Sequence, residues 1–419
     1  MAQLSNDCFA HSGRLMPMAE ALALLDERVV AVEGNEEVAL RRARGRTLSE
    51  DVIAERDVPP HDNSAVDGYA FSWDRLQAGG DTRLAIASQS VAAGHPARRP
   101  ADPSEASRIF TGAVMPAGLD TVAMQEDCTV EDDHVAIPPG LVRGDNRRHA
   151  GEDVHAGATV LRAGHRMRPQ DIGLAASVGR TELVVFRRLS VAVFSTGDEV
   201  VEPGTPLPDG AIYDANRYAL TAMAEALDAA VTDLGILPDD ETVVRDTLAA
   251  AADGHDLIIT SGGVSVGEED HVRAAVEAIG KLHFWRLAIK PGRPLAMGQV
   301  AGVPFVGLPG NPAAAMVTFL RFVRPLILRL SGATDATPVL FRVRADFDHR
   351  KKAARREFVR ARLIGDGAGG FAAVKFERDG AGILTSMVEA DGLVELPEDL
   401  TDLRRGTEVD FLPFSEVLS

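Results

Sequence analysis

Cysteine is almost missing from this 419-residue chain, which carries only Cys8 and Cys128. One pair cannot build a disulfide framework or a four-cysteine metal site, and it fits a reducing compartment. Aromatic residues make up only 5%. There is no run of 18 apolar residues and no apolar signal core at the N-terminus, so the sequence predicts a soluble cytoplasmic protein with no membrane contact. A basic surface is lacking as well. The formal net charge is −18 and the pI is about 5.1, which argues against a nucleic-acid binder. The 11 histidines are scattered and form no close helical pair of the zinc type. No Walker A, G-x-S-x-G or G-x-G-x-x-G motif stands in its required context, which leaves a P-loop kinase, a hydrolase triad and an NAD enzyme unsupported.

What is present suffices for several cores. The chain is 45% hydrophobic, and its length suggests two to four domains. Residues 1–14 are small and polar and are expected to be disordered. Met18 to Val30 has helical period, and 36–54 looks partly helical. From Val58 to about Gly151 the chain turns rich in Gly, Pro, Val and Thr, which reads as an inserted β-rich domain (56–151). It interrupts a mixed unit made of 15–55 and 152–187. Over 188–331 strands alternate with helices, which predicts a parallel sheet covered on both faces. The helix from Asn216 to Leu227 is read as capped by Asn216, and Pro312 to Leu330 as one long helix. Residues 332–419 show only strand-like stretches and predict a small all-β domain.

Residues 256–271 read DLIITSGGVSVGEEDH and are the most informative stretch. A strand that runs through a glycine turn into a helix start presents free N–H groups and the positive end of the helix dipole. That makes an anion cradle. The acids Glu268, Glu269 and Asp270 beside it would repel a bare phosphate, a conflict that a divalent cation or a proton-transfer role would resolve. Loops at 195–200, 261–270 and 309–312 all leave C-terminal strand ends, where ligands of such sheets bind.

Four further segments carry excess polar function. PPHDNSAVDGYA at 59–70 and RIFTGAVMP at 108–116 could equally be turn networks. STGDE at 195–199 ends a strand. IKPGRP at 289–294 places two cations on a proline-stiffened turn, and with LPGNP at 308–312 it suits an oxyanion or phosphate. Asn311-Pro312 also has the form of a helix start. The strongly basic stretch 341–362 could face an anionic ligand or form a solvated strand face.

Together these segments resemble the molybdopterin molybdenumtransferase family, whose animal counterpart is the E domain of gephyrin. The likeness covers roughly 15–415 and is carried by PPHDNSAVDGYAF, RIFTGAVMPAG with VAMQED, GEDV, STGDEV, SGGVSVGEEDH, AIKPGRP and GLPGNP. It implies an α/β plus β multidomain fold: a parallel-sheet, molybdopterin-binding-like α/β domain, the inserted β-rich domain, the mixed unit as linking and dimerisation domain, and a C-terminal small β-barrel. It implies a homodimer that turns adenylylated molybdopterin and molybdate into molybdenum cofactor, releasing AMP with Mg²⁺. A molybdopterin adenylyltransferase and molybdoenzyme acceptors are the implied partners. An adenylyltransferase, or a non-catalytic molybdopterin-binding scaffold, is the alternative reading.

Residue by residue, the resemblance assigns catalytic roles to Asp62, Asp153, Glu199 and Asp270. Asp62 is expected to reach the site across the dimer, and Asp270 and Glu199 to hold the cation. Thr111, Gly262, Gly263, Ser265, Gly267, Pro309, Gly310 and Asn311 would bind the pterin substrate. Lys290, Arg293, Arg355 and Ser386 would bind molybdate. Four positions depart from the usual pattern. Arg293 replaces a Lys, Ala313-Ala314 replace Val-Ser, and His61 stands where Phe is common.

Overall fold

The computed structural model describes residues 15–262, 271–367 and 369–418. The expectation for 1–14 and the glycine turn at 263–270 lie outside the described residues.

The largest sheet has seven strands, in the order Leu15–Met16, Gly280–Leu287, Pro294–Val300, Val303–Leu308, Leu257–Ser261, Ser190–Thr196 and Ala230–Leu237. The last four run parallel. Val191, Val193, Phe194, Ile258 and Ile259 are fully buried, as strands with both faces covered require. One face packs on Leu220, Met223, Phe322 and Leu326. The other packs on Val244, Leu248, Val272 and Val276. Pro294–Val300 was not legible as a strand. It joins antiparallel to both neighbours, with a proline first and Gly298 inside it. A Cβ at Gly298 would run into Lys281 O of the next strand, so the glycine permits a close backbone approach.

The segment 36–54 corrects the helical expectation. Asn35–Ala39 is a strand, paired antiparallel with Glu182–Phe186, and only Leu40–Arg42 turns helically. A long-range partner has overridden local preference. These strands and the helix Pro169–Ser177 enclose Leu48, Met167, Ala175 and Val185. The inserted region forms its own six-stranded sheet over Phe71, Ala106 and Val135.

The helix after the LPGNP motif is not uniform. Pro312–Thr318 and Arg324–Leu330 are α, and Phe319–Val323 between them is a π turn. Trp285 stacks edge-to-face on Phe322 at 5.6 Å and fixes this helix on the sheet.

Five C-terminal strands close into a barrel, in the order Arg356–Gly365, Phe371–Lys375, Phe341–Ala345, Glu408–Pro413 and Gly392–Leu396, which pairs back to the first. Val343, Val359, Val394 and Phe411 fill it. Ile289–Lys290 adds in parallel to Arg356 and Glu357. This short pairing ties the KPGR turn of the α/β body to the barrel.

Candidate functional site

At the C-terminal ends of Ser190–Thr196 and Leu257–Ser261 lies a cluster of hydroxyls. Ser195, Thr196 and Thr260 are no more than 2% exposed, and their hydroxyls have no partner among the described residues. Buried polar groups of this kind are ordinarily satisfied, so the strand ends are suited to a polar ligand. Gly262 has φ +89°, and a Cβ there would sit 3.0 Å from Thr196 O. Only glycine fits without strain.

The helix Asn216–Glu225 starts at Asn216, but the side chain makes no cap bond, which corrects the capping role read from sequence. Its Nδ2 instead donates to Ser261 Oγ at 2.8 Å and to Gly310 O at 2.7 Å. Asn216 thus pins two strand-end loops to each other. Asn216→Ala is expected to lose both bonds and about 1–2 kcal/mol of stability, at roughly 1 kcal/mol per hydrogen bond. Denaturant titration measures this, and an unchanged midpoint would rule out the clamp.

The second feature is a cavity of about 250 Å³ between the α/β body and the barrel. Lys290, Gly292, Pro294, Pro309, Asn311 and Ala314 form one wall, and His349, Glu357, Arg360, Lys375 and Asp379 form the other. Glu357 is 2% exposed and organises the charges. Its Oε2 lies 3.0 Å from His349 Nε2 and 3.3 Å from Lys290 Nζ. Its Oε1 accepts from Arg355 Nε at 2.9 Å. Burial opposes ionisation of Glu357, but the His349 hydrogen bond, the Lys290 charge and Arg355 outweigh it and hold the carboxyl below its ordinary value. Arg360 Nε meets Ser386 Oγ at 3.1 Å, and its guanidinium also donates to Gly380 O at 3.0 Å. Lys375 Nζ lies 2.9 Å from Asp379 Oδ2. Several cations around a small cavity make a receptor for a compact anion.

A third group sits on the inserted region. Asp67 accepts from Thr111 N at 2.7 Å and Thr111 Oγ1 at 2.8 Å, which holds its carboxyl below the usual range. Asp62 Oδ1 accepts from Ala150 N at 2.8 Å. The loops at 59–68, 108–116 and 146–153 are thereby knitted together. Among the described residues they share no hydrogen bond or ion pair with the strand-end crevice or the cavity.

Family models match the chain in three stretches: the MoeA N-terminal region (domain I and II) over 16–179, the probable molybdopterin binding domain over 192–329, and the MoeA C-terminal region (domain IV) over 342–414. The molybdopterin molybdenumtransferase of Haemophilus influenzae is 37% identical over 406 residues, covering 96% of this chain and all of that protein. The chain belongs to the molybdopterin molybdenumtransferase family. A relative of the same name from Nostoc is 35% identical over 390 residues, covering 90% of this chain and 88% of that protein. The crystal structure of the molybdopterin biosynthesis moeA protein from Pyrococcus horikoshii superposes with a TM-score of 0.82 at 30% identity, covering 96% of this chain and 100% of that one.

Against this family background the candidate residues fall into distinct places. Lys290, Pro309 and Asn311 line the cavity. Gly310 packs against Gly262, with 3.9 Å between its Cβ position and Gly262 Cα. Arg293 is exposed and is not part of the cavity wall. Arg355 braces Glu357 from outside that wall. Ser386 is fully buried, donates to Ile383 O at 2.5 Å and accepts from Arg360 Nε at 3.1 Å. Ala314, a departure from the family pattern, faces the cavity. Glu199 is exposed at the mouth of the strand-end crevice. Thr111, Asp62 and Asp153 belong to the inserted loops, where Asp153 N donates to Val58 O. Gly263, Ser265, Gly267 and Asp270 lie outside the described residues. Sequence reasoning missed His349, Glu357, Arg360, Lys375 and Asp379. One signal existed: Glu357 is the lone acid among seven cations between 350 and 362.

Proposed function

We propose that this chain is a molybdenum insertase, which converts adenylylated molybdopterin and molybdate to molybdenum cofactor and releases AMP. One observation carries the reading. The 309–311 loop belongs to both features: Pro309 and Asn311 line the cationic cavity, while Gly310 O receives Asn216 beside Gly262. An anion site and a strand-end crevice that share one loop would bring a metal oxyanion next to a pterin. The buried hydroxyls of Ser195, Thr196 and Thr260 would meet the polar end of the pterin substrate, with the glycine turn as phosphate cradle. Lys290 and Arg360 would hold and orient molybdate.

Mg²⁺, when bound, would polarise the phosphate link that is cleaved. Among the described residues no three His, Cys, Asp or Glu side chains gather. Glu199 and Asp270 would hold the cation, and Asp270 lies outside the described residues. The separation of Asp62, Thr111 and Asp153 from the crevice supports a homodimer in which a second copy supplies that loop. Among the described residues no helix is long and apolar enough to cross a membrane.

The test is AMP release from adenylylated molybdopterin with molybdate and Mg²⁺, against a control without molybdate. Molybdate-dependent release with active cofactor formed is the expected result. ATP-dependent AMP transfer onto molybdopterin would instead identify an adenylyltransferase. Tight pterin binding without turnover would identify a scaffold.

A further inference from the structure

Lysine is rare in this arginine-rich chain. Lys281, Lys290, Lys351, Lys352 and Lys375 are all there are, and two of the five line the cationic cavity. Lys290 stands on the KPGR turn. Lys375 ends a barrel strand, and no motif pointed to it. A continuous chain of contacts joins the two across the wall. Lys290 Nζ lies 3.3 Å from Glu357 Oε2, which lies 3.0 Å from His349 Nε2. His349 Nδ1 then lies 3.4 Å from Lys375 Nζ, which pairs with Asp379 at 2.9 Å. With its proton on Nε2 towards Glu357, the imidazole offers the Nδ1 lone pair to the Lys375 ammonium.

The two carboxylates of this wall are not equivalent. Glu357 has 2% of its side chain exposed and is gripped by two cations, Lys290 and Arg355, and by the His349 imidazole. Asp379 has 60% exposed and, among the described residues, pairs with Lys375 alone, whose own side chain is 19% exposed. An exposed pair of this kind is weak and easily exchanged, whereas a buried carboxylate held by several donors is not. Asp379 is also next to Gly380, whose carbonyl holds Arg360.

We propose that Lys375 is a second ammonium for the oxyanion in this cavity, and that Asp379 is the exchangeable counter-ion with which the incoming anion competes. The proposal rests on the reading of the cavity as the oxyanion site. His349 aims Lys375 at the cavity, and Glu357 keeps Lys290 in place. A tetrahedral dianion replaces a singly charged, solvated carboxylate and gains Lys375 together with Lys290 and Arg360. A monoanion of the same shape gains less, because the Coulomb term scales with ligand charge.

The experiment measures dissociation constants of the full-length protein for molybdate and for perrhenate, its monoanionic shape analogue, at fixed ionic strength. Lys375→Gln should weaken molybdate about tenfold and perrhenate about threefold, since half the ligand charge feels half the free-energy change. Asp379→Asn should tighten molybdate by a similar factor; Asp379 is exposed, so this variant tests the idea even if Lys375→Gln folds poorly. The double variant restores the net charge and should return to within about threefold of wild type. Equal losses for both anions in Lys375→Gln would mean a purely structural lysine and overturn the proposal. Weaker molybdate binding in Asp379→Asn would overturn it too. Failure of the underlying site reading looks different: the unmodified protein then binds neither anion, and both ideas fall.

Discussion

Gly292→Ala should cost about 2–5 kcal/mol of stability and abolish molybdate binding. Gly292 sits in the cavity floor with φ +99°, a region that costs an L-residue about 1–2 kcal/mol. A Cβ there would also lie less than 3.0 Å from Thr318 Oγ1, 3.3 Å from Ala314 O and 3.4 Å from Ile289 Cδ1. Thr318 is fully buried, so either its side chain or the turn must shift. Overpacking adds about 1–3 kcal/mol. The strain falls two residues from Lys290, so the ammonium should move with it. Gly80→Ala provides the control, because a Cβ there meets nothing within 4 Å. Denaturant midpoints and molybdate titration of both variants decide the matter. A Gly292 variant as stable as the control would show that the floor is not tight.

Glu357→Gln should lower stability at neutral pH by about 2–3 kcal/mol. Removing one member of a buried ion pair typically costs about 3–5 kcal/mol. The lower figure applies because two partners, Lys290 and Arg355, are 45% and 30% exposed and keep part of their hydration. The pH dependence has a definite sign. The folded carboxyl is depressed below its ordinary 4.5. Its contribution is therefore complete above 4.5 and fades as pH falls through the folded value. The gap between wild type and variant should stay constant from pH 7 to about 5 and narrow below 4.5. A gap that widens in acid would contradict this account.

Much of the architecture was legible because periodicity reports burial directly. The parallel strands Ser190–Thr196 and Leu257–Ser261 carry the apolar runs 191–194 and 257–259, and the barrel strands are short β-branched or aromatic stretches between turn residues. Pro294–Val300 was hidden by its own proline and glycine, which serve backbone proximity that only the neighbouring strand explains. Asn35–Ala39 was misread because its partner lies some 145 residues away. Within the site, Lys290 and Asn311 stand in compact motifs whose spacing announces them. His349, Arg360 and Lys375 come from three separate barrel segments and converge only through strand pairing. Ser386 was named only through the resemblance, because its contact with Arg360 arises from two barrel segments that sequence does not bring together.

The placement of the cavity between two folded bodies has a thermodynamic consequence. Its walls come from 290–314 and 349–381, joined by the pairing of Ile289–Lys290 with Arg356 and Glu357. An anion that touches both walls is linked to their association, and linkage is reciprocal. At 100 times its dissociation constant such a ligand adds about 2.7 kcal/mol in favour of the docked arrangement. The barrel and the α/β body would then separate less often in the loaded protein, and amide hydrogens along Arg356–Gly365 would exchange more slowly. Cargo would act as mortar between two parts of one chain.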